Sequence, residues 1–361
     1  MEECQSFFDG YGEVRRALLI SGRGFDPRMT FGVKILLGCV PKMPLDTMLL
    51  SMNDFESPAD KRLQKASDEN AATVRSLLNG LGSVTEPQVA MSRREGAVVK
   101  RIGARKAADI FTFDTVAPYT DVFVDISALP RGLYISLIGK LLNILDEAAL
   151  RGEKKPSLFV FVAESSTLDM HIREHLEEHA EYVTFFQGMM AIEGGAQLPK
   201  VWFPTLGERQ HAQLSRLHEF IAPQEICPVL PMPSRSPRRA DNLIRDYATL
   251  LFETWQVSPS NFIYVAEQNP FEAYRQLVKA VRQYRLALAP LGGSCKIVLS
   301  TLSSKLLSIG SLLAAYEFKM TDEPIAIAHV EAASYSLPKS SEVCEDAVPY
   351  LMMISGDAYE I

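Results

Sequence analysis

The chain has 361 residues, of which 47% are hydrophobic and 22% are charged, and this composition is typical of a globular protein with about two domains. The net charge of −7 gives no overall basic field, which argues against wrapping of duplex nucleic acid by the whole surface but leaves a local basic patch open. Five scattered cysteines without C-x-x-C spacing exclude a zinc ribbon or a disulfide framework and favour reduced thiols in the cytoplasm.

In the first half of the chain, short apolar runs rich in β-branched residues alternate with longer helical patterns. This alternation predicts a mainly parallel sheet covered by helices. The predicted strands are 17–21, 47–52, 87–91, 121–127 and 157–165, and the predicted helices are about 29–39, 61–82, 97–111 and 132–152. The last of these helices contains Lys140, Asp146 and Glu147, so that it is expected to be a buried helix and not a membrane span.

The same alternation begins again after the segment IEGGAQLP (192–199), where glycines and a proline predict a boundary. A run at 182–191 is either a further strand or a connection. The later strands are predicted at 201–206, 225–230, 261–267, 296–301 and 324–332, with helices at 208–221, 240–256, 271–287 and 303–318. The predicted fold is α/β, with two Rossmann-like domains, 1–195 and 196–361, each a mainly parallel sheet flanked by helices.

The two halves share one pattern, in which an apolar strand is followed by a turn, a cation and a helix with an internal glycine. VDISALPRGLYISLIGKLL reaches Arg131 after its strand, and VLSTLSSKLLSIGSLL reaches Lys305. Duplication and convergence explain this likeness about equally well.

A first candidate site is the stretch ISGRGFDPR, which follows the first strand. In a doubly wound sheet ligands bind beyond the carboxyl ends of the strands, and glycines let backbone N–H groups approach a phosphate. The predicted contacts are Ser21, Gly22, Arg23, Gly24 and Arg28. The structural alternative is that Asp26 caps the next helix and Pro27 is its first residue.

The same residues, GRGFDPR, also resemble the first motif of S-adenosylmethionine-dependent methyltransferases, in the G-x-G-x-D-x-R form of leucine carboxyl methyltransferases. This resemblance implies a methyl donor as the ligand and an acidic residue after the second strand that holds its ribose. Asp54 or Glu56 is in position for that role. A methyltransferase is therefore one alternative function.

A second candidate site is LSTLSSKLLSIGSLLAAYE, where Ser303, Ser304 and Lys305 lie between a strand and a helix. Hydroxyls, a helix start and a lysine form a suitable anion site. The stretch resembles the strand–[Thr/Gly]-Lys–helix turn of CARF domains, the Rossmann-like sensors of cyclic oligoadenylates in CRISPR-associated proteins. The resemblance implies a nucleotide sensor in prokaryotic defence. The structural alternative is that Ser303 is an N-cap and Lys305 is solvated.

Three further groups have both a functional and a structural interpretation. The loop LPMPSRSPRRADN brings Arg235, Arg238 and Arg239 ahead of a helix, where they either bind an anion or form a solvated loop. Glu267 either pairs with Arg275 or holds a ribose. Asp125, at the end of a strand, is a general base, a ribose ligand or a cap.

The histidine-rich stretch HIREHLEEH places His171, His175 and His179 at four-residue intervals, on one face of a predicted helix. Its second half also fits the H-x-x-E-H zinc motif, with Glu178 as the base. A solvated helix face is the favoured interpretation, and no metal site is predicted.

Together these patterns predict a cytoplasmic protein that binds a nucleotide or another phosphorylated small molecule, as a sensor or regulatory component. The alternatives are the methyltransferase and a non-catalytic subunit that docks a protein partner through its arginine-rich loop. The sequence names no cofactor, does not decide whether the protein is an enzyme, and leaves homo-oligomer formation open.

Overall fold

The computed structural model describes residues 6–8, 15–40, 43–53, 61–96, 98–165, 168, 173–191, 198–291, 294–336, 346–356 and 359. The strands are β1 (Ala17–Arg23), β2 (Leu45–Asn53), β3 (Val84–Thr85), β4 (Gln88–Ala90), β5 (Ser92–Glu95), β6 (Val98–Arg101), β7 (Asp121–Asp125), β8 (Ser157–Glu164), β9 (Arg173–Gln187), β10 (Lys200–Thr205), β11 (Glu225–Ile226), β12 (Val229–Pro231), β13 (Ile263–Val265), β14 (Lys296–Thr301), β15 (Ala326–Ser336) and β16 (Val348–Ser355). The α-helices are α1 (Arg28–Cys39), α2 (Lys61–Leu77), α3 (Gly103–Asp109), α4 (Phe113–Val116), α5 (Arg131–Leu150), α6 (His211–Ile221), α7 (Arg239–Asp246), α8 (Pro270–Leu288) and α9 (Lys305–Glu317). A π-helix covers Thr249–Thr254, and 3₁₀ turns cover Gly188–Ala191, Pro259–Asn261 and Ala289–Leu291.

The chain forms two compact units. The first unit comprises Met1–His175 and Ala333–Ile361, and the second unit comprises Leu176–Ala332. These limits differ from a single cut at residue 196, because the C-terminal strand β16 pairs with β8 in the sheet of the first unit. Most of the segment 192–199 that was expected to be the boundary lies outside the described residues.

The first unit contains a sheet in the order β16-β8-β7-β1-β2-β3, with β4 also pairing with β2. All of its pairings are parallel except the antiparallel pair β16–β8. Its core gathers apolar side chains of the central strands and of α1, such as Leu19, Val33 and Leu49, and Phe123 stacks on Phe159 with 4.9 Å between ring centroids. Strands buried on both faces are apolar throughout, which is why the runs in the sequence indicated them.

The second unit repeats this arrangement with the order β13-β12-β10-β14-β15-β9. The pairs β12–β13, β10–β12, β10–β14 and β14–β15 are parallel. Trp202 lies at the centre of one core and donates a hydrogen bond from Nε1 to Ser300 Oγ at 3.0 Å. The predicted α/β fold with two Rossmann-like halves is confirmed.

Two predicted helices are wrong in part. The range 97–111 begins with β6, which forms an antiparallel hairpin with β5, and its helix α3 starts only at Gly103. In the histidine-rich stretch, His175 and His179 lie in β9, the edge strand next to β15, while His171 lies outside the described residues. The four-residue spacing of the histidines predicted a helix, but the pairing of this segment with β15 makes it a strand.

Within the described part of the chain, none of the helices has the length and apolarity that crossing a membrane requires.

Candidate functional site

Each unit has one point where the strand order reverses. In the first unit the chain passes from β1 to β2 on one side and later returns to β7 on the other side of β1. In the second unit it passes from β10 towards β12 and β13, and returns to β14 on the other side of β10. Ligands of open α/β sheets bind in the crevice at such a reversal, beyond the carboxyl ends of the two strands. The two reversal points are therefore the places where a site is expected.

In the first unit the glycine-rich turn at the end of β1 lies against the loop that follows β7. A Cβ atom at Gly22 would lie 2.6 Å from Leu129 Cδ2 and 3.2 Å from the carbonyl oxygen of Ala128. Gly24 is less crowded, since its nearest neighbour is the same carbonyl oxygen at 3.7 Å. Gly22 thus allows the protein's own loop to approach the strand end closely.

The two arginines of this turn form internal ion pairs. Arg23 binds Glu86 Oε2 through Nη1 at 3.2 Å and also contacts Asp68. Arg28, only 3% exposed, binds Asp26 Oδ2 through Nη2 at 2.7 Å. The Asp26 carboxylate also accepts the backbone N–H of Arg28 at 2.9 Å, but the N-cap of α1 is Pro27 and its first residue is Arg28, so the helix starts one residue later than the capping interpretation expected.

Ser21 and Asp125 are cross-strand neighbours at this reversal point. Asp125 is 1% exposed and accepts the backbone N–H of Ser127 at 2.9 Å, and Ser21 Oγ lies 3.5 Å from its other carboxylate oxygen. A Cβ atom at Gly32 in α1 would lie 2.7 Å from Asp125 Oδ2. The carboxylate is therefore enclosed beneath α1, where its hydrogen bonds with Ser127 and Ser21 stabilise the strand end. A ligand role for Ser21, Gly22, Arg23, Gly24, Arg28 or Asp125 stays a prediction.

In the second unit Thr205 and Thr301 occupy the corresponding cross-strand pair. Both residues are 3% exposed. Side chains alternate between the faces of a strand, and Trp202 and Ser300 meet on the face opposite to these threonines. Phe203, on the threonine face, contacts Tyr284 of α8, so both hydroxyls face the layer that contains α8 and its neighbour α9. Thr301 Oγ1 is buried and has no hydrogen-bond partner among the described residues.

The loop between β14 and α9 carries the predicted serines and lysine. Ser304 is the N-cap of α9, and its Oγ accepts the backbone N–H of Leu307 at 3.1 Å. Ser303, the residue expected to cap the helix, precedes the cap and is buried, while the half-buried Lys305 is the first helical residue. The start of α9 and the Thr301 hydroxyl thus lie four residues apart in the chain, at the same end of the sheet.

The loop after β14 packs on the loop after β10, as its counterpart does in the first unit. A Cβ atom at Gly207 would lie 2.1 Å from the carbonyl oxygen of Leu302. Tyr247, which sequence reasoning missed, donates a hydrogen bond to the Gly207 carbonyl at 2.6 Å and accepts one from Gln210 N at 2.9 Å. Burial raises the pKa of Tyr247 to about 12, so the phenol remains a donor at neutral pH. The sequence around Tyr247 contains no motif that predicts its hydrogen bonds to the loop after β10.

The arginine-rich loop is attached to the ends of two other strands. Arg239 binds both Glu208, which follows β10, and Glu267, which follows β13. Glu267 also accepts the backbone N–H of Arg235 at 2.9 Å, while the Arg235 side chain is exposed. Burial raises the pKa of Glu208, but the hydrogen bond and charge of Arg239 outweigh burial and lower it overall. The expected pairing of Glu267 with Arg275 is wrong, because Arg239 takes that place.

The remaining predicted groups give no site in the described residues. The residues proposed to hold a ribose after the second strand, Asp54 and Glu56, lie outside the described residues. In the described part of the chain, no group of three His, Cys, Asp or Glu residues is placed to hold a metal ion.

No protein-family model matches the chain, and no curated protein matches it in sequence.

Proposed function

We propose that the chain is a binding protein for a phosphorylated small molecule of the nucleotide class, and that the second unit holds this ligand at the carboxyl ends of β10 and β14. The observation that carries the proposal is the Thr301 hydroxyl, which is buried at the reversal point without a hydrogen-bond partner in the described residues. A buried hydroxyl without a partner is destabilising, and such groups in folded proteins call for a reason. A phosphate oxygen would satisfy it.

The surroundings of Thr301 favour an anion over a neutral ligand. The helix α9 is thirteen residues long, and its first turn carries the positive end of the helix dipole. Lys305 adds a formal positive charge there. Thr205 lies beside Thr301 and provides a second hydroxyl on the same face of the sheet. In this proposal the reversal point of the first unit has a structural role, since Arg23 and Arg28 there are bound to carboxylates of their own unit.

The ligand class agrees with a sensor or regulatory component. The resemblance of the β14–α9 turn to CARF domains makes cyclic oligoadenylates the first ligands to test, with a place in prokaryotic defence as the wider hypothesis. The methyltransferase and the docking subunit remain the rival functions, and the same experiment separates all three.

The experiment is a thermal unfolding series with cyclic oligoadenylates, ATP, NAD and S-adenosylmethionine, followed by tryptophan fluorescence. Both tryptophans, Trp202 and Trp255, belong to the second unit, so the signal reports the unit that is proposed to bind. A ligand at 100 times its Kd stabilises by about 2.7 kcal/mol, which raises the midpoint by roughly 5–10 °C for a unit of this size. The expected result is such a shift with at least one nucleotide.

Two variants test the position of the site. Thr301→Val and Lys305→Ala should each reduce the ligand-induced shift, whereas the matched control Lys279→Ala, at an exposed lysine of α8, should leave it unchanged. A shift with S-adenosylmethionine alone would favour the methyltransferase and overturn the proposal. Indifference to all four ligands would overturn it in favour of a docking subunit.

A further inference from the structure

One segment of the first unit has a charge opposite to that of the whole chain. Residues 92–109 contain six Lys or Arg against two Asp or Glu, which is a net charge of +4 in a protein of net charge −7. This basic segment comprises the hairpin β5–β6 and the helix α3. Its exposed cations are Arg93, Arg94, Lys100, Arg105 and Lys106, with Arg101 half-buried.

The register of the hairpin distributes cations over both of its faces. Arg93 is directly opposite Lys100, and Arg94 is opposite Val99. Because side chains alternate along a strand, Arg93 and Lys100 share one face while Arg94 and Arg101 share the other. Like charges placed opposite one another are destabilising. Glu95, which binds Lys100 Nζ at 2.5 Å, balances one of these charges on the first face.

The base of the hairpin is held firmly to the sheet. The backbone N–H of Met91 donates to the Asn53 carbonyl at 2.9 Å, and that of Gly103 donates to the Met91 carbonyl at 3.1 Å. Asn53 ends β2, and Met91 directly follows β4. The ribbon therefore leaves the sheet at its carboxyl edge. At its tip, Gly96 has a φ of +66°, a conformation that glycine adopts without strain.

From this geometry we propose that the basic segment binds the phosphate backbones of duplex DNA. A two-stranded ribbon fits the major groove of B-form DNA, which is roughly 12 Å wide, and cations on both faces then meet the backbones on either side. The deep, narrow major groove of A-form RNA excludes such a ribbon. Residues 92–109 contain no aromatic residue to stack on unpaired bases, which favours a duplex over a single strand.

The test measures binding of the full chain to a fluorescein-labelled duplex of about 20 base pairs by anisotropy, at several salt concentrations. If the four hairpin cations each neutralise one phosphate, the logarithm of the association constant falls with the logarithm of salt concentration with a slope of about −3.6. Affinity then decreases about 150-fold between roughly 50 and 200 mM salt.

The triple variant R93Q/R94Q/K100Q should reduce the slope to about −0.9, since it leaves one of those contacts, and the single variant R94Q should reduce its magnitude by about 0.9. The control K65Q/R245Q/K279Q removes the same charge from exposed positions elsewhere and should retain the wild-type slope. Unchanged thermal midpoints will show that the variants are folded.

Three results would overturn the inference: no binding to duplex DNA near 50 mM salt, equal slopes for the triple variant and its control, or equally tight binding to duplex RNA. Binding to phosphatidylserine vesicles or to poly-glutamate with the same dependence on Arg94, but without binding to DNA, would assign the segment to a membrane or an acidic protein instead. The nucleotide proposal does not depend on this outcome, because it concerns Thr301 in the other unit.

Discussion

Replacing Thr301 by valine should stabilise the protein while it weakens binding of the proposed ligand. The hydroxyl is buried without a partner in the described residues, and valine has nearly the same shape. Removing a buried, unsatisfied polar group recovers its desolvation penalty of about 1–3 kcal/mol. At the lower end of that range the midpoint of thermal unfolding should rise by roughly 2–4 °C. The assay is tryptophan fluorescence, since Trp202 and Trp255 both report the second unit.

The neighbouring residue supplies a control of opposite sign. Ser300 Oγ accepts the hydrogen bond of the buried Trp202 indole, so Ser300→Ala leaves that N–H without its partner and should lower the free energy of unfolding by roughly 1–3 kcal/mol. If Thr301→Val lowers the midpoint as much as Ser300→Ala does, the threonine hydroxyl is bonded in the folded protein. The reasoning that assigns it to a ligand is then refuted.

Three further predictions concern stability. Gly207→Ala should lower the free energy of unfolding by roughly 1–3 kcal/mol, since its Cβ would lie 2.1 Å from a backbone carbonyl oxygen. Gly24→Ala is the control and should have little effect, because its Cβ would lie 3.7 Å from the nearest atom. Equal effects of the two substitutions in circular dichroism melts would contradict this. Burial lowers the pKa of His218, so the unfolded chain binds more protons and the free energy of unfolding should fall as pH decreases below about 6.5. Urea unfolding at several pH values should show that this free energy depends less on pH in His218→Gln than in the wild type. Burial raises the pKa of Asp46, but hydrogen bonds, first from Ser83, outweigh burial and lower it overall. The contribution of Asp46 to the free energy of unfolding should therefore be lost as pH falls below about 4. In acid titrations, the free energy of unfolding of Asp46→Asn should depend less on pH than that of the wild type.

The fold was predictable because both sheets are mainly parallel and covered by helices. Strands in such sheets are buried on both faces, so that they stand out as uniform apolar runs between amphipathic helices. Strand β14 coincides with the predicted range 296–301, and α5 begins one residue before the range predicted for it. The strand order was not visible in the sequence, since it depends on pairing between distant segments.

The two misassigned helices show where local periodicity fails. In the stretch SRREGAVVKR, the spacing of valines and cations fits a helix, but the glycine at position 96 adopts a left-handed conformation and turns the chain into a hairpin. In β9 the histidine spacing was fortuitous. There the deciding interactions are with β15, where His329 Nε2 lies 3.3 Å from Glu181 Oε1, and a local pattern does not contain them.

The sequence located the candidate residues but not their partners. Arg23 and Arg28 are of the type that binds phosphate, and both follow the predicted strand 17–21. Arg23 is bound by residues 45 and 63 positions further along the chain, which no local motif reveals. Arg28 is buried against Asp26, although they are only two residues apart. Residue type and position in the sheet thus limit the candidates, while burial and ion pairing decide among them.

The likeness between the two halves of the sequence now has a structural counterpart. The two stretches correspond to β7–α5 and β14–α9, which occupy the same place in sheets of the same strand order. In each unit the loop after that strand packs on a glycine at the end of the central strand or two residues beyond it. The first unit fills its reversal point with Asp125, which accepts the backbone N–H of Ser127. The second has Thr301 there, whose hydroxyl lacks a hydrogen bond in the described residues. This difference at equivalent positions is the reason that the proposed ligand is assigned to the second unit and not to the first.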